Sequence, residues 1–412
     1  MTRTMKTAIT PALIAIIAAG TAQAQSAPAP VTIDQIQLGD SLSTLTVNAP
    51  DGAEEASATN TAIGNTASGH LIRGALDYAV NQDANGSVAA DTELLGGNVT
   101  GVVTSNTLAY GNATTGGSSD GDVTFTGDQH TTGPVSATAI TDVETVGGIS
   151  NSTVAAANIS NTSAANGQNL ATQIQISDAN VTATSDVDMC CDAGYANTLT
   201  AASGNTASST GTTSTAIQTA TQITRDNTAI TAHSDIYGYH GHDTSSSVTA
   251  NGNSYTLDNE WGYTALGQDG APLDQTNGAD VSATSLATYG TWSGYAYSSA
   301  YGVGNSASVN NIGVDTTLNA IQTNNGDVSA LATLNSTSTS GGTGQVSAVA
   351  IGNSSSAFLC NTCGDAVLSG SVSQINRGNV RAQAHAGTTA AGGVYGTASA
   401  IGNAATFTSS GD

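Results

Sequence analysis

The densest set of side chains able to do chemistry is aromatic: Tyr289, Trp292, Tyr295, Tyr297 and Tyr301. Tyr295, Tyr297 and Tyr301 share parity, so a strand through them places all three on one face. Aromatic faces stack on sugar rings while neighbouring Ser, Asn and Asp hydrogen-bond hydroxyls. Trp292, Tyr295, Tyr297 and Tyr301 are therefore candidate polysaccharide contacts; the competing reading is that they support one another across neighbouring strands. His240, His242 and Asp243 could hold a metal, yet a Tyr/Gly/His stretch reads more simply as a solvated loop. Asp120, Asp122 and Asp128, and Asp186, Asp188 and Asp192, offer oxygen ligands without the spacing of an EF-hand or a calcium-binding nonapeptide. Glutamate is nearly absent (Glu54, Glu55, Glu93, Glu144, Glu260), and no carboxylate pair recurs beside a base. These patterns imply no metal, no cofactor and no enzyme.

The elements that must position these groups sit behind an export leader. Arg3 and Lys6 precede an apolar run from Ala12 to Ala19, which ends in Ala22-Gln23-Ala24. This is the form of a cleaved signal peptide, residues 1–24, with a short linker at 25–30. The run is too short to span a membrane permanently. Export also frames the four cysteines, for which disulfides are expected. Cys360 and Cys363 read as a loop clamp. Cys190 and Cys191 either bridge as neighbours, stay reduced, or pair with the other two.

The formal net charge is −24, and loss of Arg3 and Lys6 takes it to −26. Such a surface excludes nucleic acid as a natural partner, because phosphates would find almost nothing to neutralise them. Three Phe and two Trp rule out a conventional large-residue core. What remains is a thin interior of Ala, Val, Ile and Leu, workable when similar layers stack.

Repetition supplies those layers. Gln37, Gln82, Gln129, Gln175, Gln222, Gln275, Gln322 and Gln374 mark units of about 48 residues. A second landmark, usually Gly-Asn, keeps phase at Gly64, Gly111, Gly167, Gly204, Gly252, Gly304, Gly352 and Gly402. Gly64, Gly111, Gly204, Gly252, Gly304, Gly352 and Gly402 are expected to be repeat turns, since Gly-Asn tolerates positive φ. The late landmark at Gly167 predicts an inserted strand and turn, and extra loops are expected in the units from Gln222 and Gln322, including residues 237–243. Between the landmarks hydrophobic residues alternate, as in Val380, Ala382, Ala384 and Ala386. The fold class is all-β: one elongated repeat β-solenoid of about eight units over residues 31–412. Each unit is expected to hold two smaller coils, giving roughly 16 layers and about 75 Å of rod at ~4.8 Å per layer. Asn and Gln at equivalent positions are expected to stack into ladders.

The recurring Gln, Asn and Ala units behind a leader resemble a longer-period relative of curlin-type amyloid repeats. The chain is most similar to the HfaD family of holdfast anchor proteins of stalked alphaproteobacteria, over nearly all of the mature sequence. Ala62-Ile63-Gly64-Asn65, Ala350-Ile351-Gly352-Asn353 and Ala400-Ile401-Gly402-Asn403 also look like head repeats of trimeric autotransporter adhesins, whose period is far shorter. The holdfast resemblance implies a protein on the extracellular face of the outer membrane that fixes an adhesive polysaccharide, working with other anchor subunits. Open end coils offer backbone for homotypic stacking into an oligomer or fibre, or for partner strands. The alternatives are a solenoid carbohydrate-active enzyme and a calcium-dependent surface-layer or adhesin protein.

Overall fold

Alternation in the sequence becomes strand almost everywhere. The computed structural model describes residues 31–410, apart from 339–340 and 361–365, and among them there is no helix. The first coil is β1 (Val31–Gln37), β2 (Ser41–Ala49) and β3 (Ala56–Leu71). The next four each pair a short strand with a long one: β4 (Leu76–Ala84) with β5 (Val88–Ser118), β6 (Val123–Thr131) with β7 (Val135–Ala165), β8 (Gln168–Ser177) with β9 (Val181–Thr212), and β10 (Thr215–Thr224) with β11 (Ala229–Glu260). The sixth holds β12 (Thr264–Leu266), β13 (Leu273–Asn277), β14 (Asp280–Trp292) and β15 (Tyr295–Ile312). The seventh is β16 (Thr316–Asn324), β17 (Val328–Ser336) and β18 (Thr343–Cys360); the eighth is β19 (Leu368–Asn376), β20 (Val380–Gly387) and β21 (Val394–Ser410).

Every pairing between these strands is parallel, and each residue lies against its equivalent one repeat along, Gln82 on Gln129 and Gln222 on Gln275. One repeat is thus one full coil. This corrects the expectation of two coils per unit: the stack has eight layers and, at ~4.8 Å each, rises about 38 Å. The reason lies in the landmarks, which sit side by side in a single layer: the Gln82 side chain donates to the carbonyl of Ala113, just past the Gly-Asn step. The first landmark also moves by two, because Gln35, not Gln37, is in register with Gln82.

Each coil runs out along one limb, turns at an arch, returns along a second limb, bends, and ends in a third limb packed on the short strand. In the second coil Val88, Ala90 and Leu94 face Val103 and Ala109 across the main core. Beyond the bend, Tyr78 and Phe125 pack with Ala67 and Ala164, and later Tyr255 and Leu257 pack with Ala216 and Leu318. The interior is mostly small, as expected, but large rings fill it where the limbs part: Tyr78, Phe125, Tyr255, Tyr289 and Trp292 are all fully buried.

The bend is the Gly-Asn step, and it is not the turn expected. None of the seven predicted turn glycines has positive φ, and each lies inside a strand. Gly252 and Asn253 both face inward, so alternation skips a beat and the strand turns a corner. Glycine gives the room there in most coils: a Cβ at Gly111, Gly204 or Gly304 would come within 2.6, 2.7 or 2.5 Å of the carbonyl oxygen of the equivalent residue one coil on. In the third coil the corner is Ala157-Asn158, since Asn158 is in register with Asn205. The insertion predicted before Gly167 is therefore absent. Residues 237–243, expected as an extra loop, belong to β11, with an irregularity between Gly238 and His240. An extra turn does occur between Leu266 and Leu273, where Gly267 and Gly270 take φ of 74° and 80°.

At the waist between the two cores run two columns of amides. Gln35, Gln82, Gln129, Gln175, Gln222, Gln275, Gln322 and Gln374 form one, each Nε2 after the first donating to the Oε1 of the preceding coil at 2.7–2.9 Å. Asn65, Asn112, Asn158, Asn205, Asn253, Asn305, Asn353 and Asn403 form the other, each Nδ2 before the last donating to the following coil at 2.7–2.9 Å. The two columns therefore run in opposite directions. Up to Asn353, the second proton of each amide in these columns fixes its orientation by bonding a backbone carbonyl, as Gln222 does with Ser254 and Asn205 with Ile223. A third column, Thr224, Asn277, Asn324 and Asn376, flanks the corner in the later coils. Full pairing makes these buried polar groups stabilising, at about 1 kcal/mol net per hydrogen bond.

Candidate functional site

The limb before each corner presents alternate residues to solvent, and in coils four to eight several of these are tyrosines. Tyr195, Tyr295, Tyr301 and Tyr395 are exposed, and Tyr297 is half-buried. Tyr295, Tyr297 and Tyr301 thus share one outer face. Trp292 does not join them: it is 1% exposed, packed in the main core edge-on to Tyr289 at 6.2 Å between centroids. The expected contact at Trp292 is corrected to a core position. Its strand, β14, ends at the arch, and the outer row begins anew at Tyr295.

Register, rather than sequence adjacency, assembles the site. Asp243 is in register with Tyr195 of the coil before, and accepts a 2.9 Å hydrogen bond from the backbone N–H of Tyr295 in the coil after. Two phenol rings therefore flank one carboxylate, two layers or about 9.6 Å apart along the stack. The shallow depression between them, about 250 Å³, is lined by Tyr195, Asn197, Asp243, Thr244, Ser245 and Tyr295. Ser245 donates to Asn197 at 2.8 Å. Tyr297 stacks beside Tyr295 with centroids 6.4 Å apart and planes 23° apart, and the Tyr295 hydroxyl donates to Gln345.

Electrostatics give the carboxylate one role. The Tyr295 N–H, then His242 at 2.9 Å, hold Asp243 below the usual carboxylate range. A carboxylate held ionised is a hydrogen-bond acceptor for hydroxyls, not a proton donor. A separate acidic row lies on the limb before the arch, where Asp186 and Asp188 of β9 are pushed upward by partial burial, then by neighbours that include Asp142 and, for Asp186, Asp235. Among the described residues no three His, Cys, Asp or Glu side chains converge on a point. His240 turns instead to Thr291.

Sequence adjacency does not reveal Tyr195, Asn197 and Asp243 as partners of Tyr295, although a signal for two of them is present. Tyr195, Asp243 and Tyr295 each stand ten residues before a corner asparagine, Asn205, Asn253 and Asn305. The cysteines fall nearby and elsewhere. Cys190 and Cys191 form a bridge between neighbours, exposed in the arch region of β9. Cys360 ends β18, while Cys363, its expected partner, lies outside the described residues. A larger depression, about 590 Å³, sits on the short-strand sheet around Tyr263, Gln268, Asp269 and Asn319, but brings one ring rather than two.

A family model described as HfaD, holdfast attachment protein D, matches residues 50–327, about two-thirds of the chain. The chain belongs to that family. It is a holdfast attachment protein, a structural role exercised at the cell surface. No curated protein and no solved structure matches it. The matched span contains Tyr195, Asp243 and Tyr295; it leaves out β1 and β2 at one end and everything from β17 onward at the other.

Proposed function

We propose that this protein fixes the adhesive polysaccharide of a holdfast to the outer membrane of a Gram-negative cell, and that it grips sugar at the tyrosine-flanked depression. The supporting observation is the pairing of Tyr195 and Tyr295 around an ionised Asp243, with Asn197 and Ser245 on the floor. Rings stack on the apolar faces of pyranoses, while the carboxylate and amide take hydroxyl hydrogen bonds. Tyr297, Tyr301 and Tyr395 extend the same face, so weak contacts add along one polymer. The leader at residues 1–24 carries the chain through export, with cleavage after Ala24, and other anchor subunits hold it at the extracellular face of the outer membrane.

The test is retention of isolated holdfast polysaccharide by purified protein. Tyr195→Ala with Tyr295→Ala should lower retention at least tenfold while the melting curve stays cooperative. Equal retention by the folded double variant would refute sugar contact at this depression. Cells lacking the protein should shed their adhesive, and the N-terminus of the surface protein should read from Gln25.

A further inference from the structure

The two ends of the stack are complementary. Among the described residues, nothing pairs with the outer edges of β1, β2 and β3 or of β19, β20 and β21. The opposed amide columns leave opposite groups at each end. At the first coil, Gln35 uses one Nε2 proton on the Thr66 carbonyl, and its second proton lacks the preceding glutamine that every later member of the column has. Asn65 donates onward to Asn112, and no described residue donates to its Oδ1. At the eighth coil the situation inverts. Gln374 donates back to Gln322, leaving its Oε1 without a donor among the described residues, and Asn403 accepts from Asn353 with no described acceptor for its own Nδ2. The third column ends at Asn376, whose counterpart in the first coil is Gln37, and both amide atoms of Gln37 are buried without a partner among the described residues.

Charge follows the same polarity. In a chain of net charge −24, the described part of the eighth coil carries Arg377 and Arg381 and no carboxylate, whereas the first coil carries Asp34, Asp40, Asp51, Glu54 and Glu55. Continuing the observed register places Arg381 over Leu42 of a following copy, in the same strand row as Asp40. An exposed column of Asp and Asn side chains accepting the next coil's backbone N–H, seen at Asp40, Asp280 and Asp327, would continue from Asn379 onto that Asp40.

We propose that the eighth coil of one copy docks on the first coil of a second copy, head to tail, so that all three amide columns run on across the junction. The occupant of each end is thus another molecule of this chain. Because donor meets acceptor only in this orientation, the two like-end arrangements are disfavoured: Gln35 would face Gln35 donor to donor, and Gln374 would face Gln374 acceptor to acceptor. Open strand edges supply the backbone pairing, and the columns supply polarity.

The experiment is sedimentation velocity of the purified chain across concentration at low and high salt. The wild type should give a series of multiples that shortens as salt rises. Arg377→Glu with Arg381→Glu, and separately Asp34→Lys with Asp40→Lys, all exposed positions, should each stay monomeric with unchanged circular dichroism. Mixed in equal amounts, the two variants should assemble again, because each carries the end the other lacks. A wild type that stays monomeric at about 100 μM, or variants that assemble alone as well as the wild type, would overturn the proposal. A mixture that fails to recover while both variants are folded would also overturn it.

Discussion

The asparagine column of the waist and the outer row of tyrosines lie in the same strands, yet they follow different rules. At the waist the same amide stands in coil after coil, buried and bonded above and below. On the outer row the occupant changes at every layer: Tyr195, Asp243, Tyr295 down one column, and Asn197, Ser245, Tyr297, Gln345, Tyr395 down another. Repeated positions hold the layers together, and unrepeated positions on the solvent side distinguish one layer from the next. A solenoid therefore keeps its stability and its recognition in separate sets of residues.

That division can be strained most at Trp292, which is unrepeated but interior. Trp292→Ala should cost about 3–5 kcal/mol in thermal or denaturant unfolding, the range for emptying a large core site. A near-neutral result would return Trp292 to the surface. Gly304→Ala comes next, because a Cβ there meets the Asn324 amide oxygen as well as the Gly352 carbonyl at 2.5 Å, whereas Ser177 stands at the register position of Asn324 in the coil after Ala157; about 1–3 kcal/mol should be lost. Gln222→Leu should remove about 2–3 kcal/mol by leaving Gln175, Gln275 and the Ser254 carbonyl without partners, while Gln374→Leu, in the half-open last coil, should remove about 1. Equal losses at the two glutamines would show that neighbours on both sides do not matter.

Smaller still is the effect of pH. Asp128, Asp186, Asp188 and Asp274 all lie above the ordinary 3.8, with burial as the first cause. The folded chain then binds protons more tightly than the unfolded one, so stability rises as pH falls from neutral through the raised values and stops rising near the unfolded value. Melting temperature should increase as pH is lowered from neutral toward the unfolded carboxylate value, and Asp186→Asn should flatten part of that rise, by less than about 1 kcal/mol for groups this open. Smallest is the effect on folding of Tyr195→Ala with Tyr295→Ala, within about 0.5 kcal/mol, for all its expected effect on sugar retention.

How much of this is legible in the amino-acid sequence follows from what each signal depends on. Alternation and phase depend on neighbours in sequence, so the all-β stack, the glutamine and asparagine ladders and the shared face of Tyr295, Tyr297 and Tyr301 can be read directly. The number of coils per repeat depends on whether Gln82 and Asn112 lie in one layer or two, which only the path of the chain decides. Gly252 reads as a turn because Gly-Asn tolerates positive φ, whereas it bends within a strand and leaves room for the Asn277 side chain and the Gly304 carbonyl of the next coil. Trp292 falls on the wrong side when the aromatic stretch is taken as one surface, because the chain breaks between β14 and β15. Tyr195 and Asp243 escape a local reading because they are far apart in sequence, although counting back from each corner asparagine aligns them.

One further property follows from each residue resting on its equivalent a full repeat away. A load applied along the chain, as when flow drags on a held cell, meets the edge strands of a terminal coil first and peels them in turn. Each released coil of about 47 residues yields on the order of 160 Å of extensible chain at ~3.4 Å per residue, while the remaining layers keep their columns intact. Single-molecule stretching should record a saw-toothed trace with that spacing, and one all-or-none rupture would refute it. A tether of this build gives ground in instalments under shear and shortens again when the flow drops.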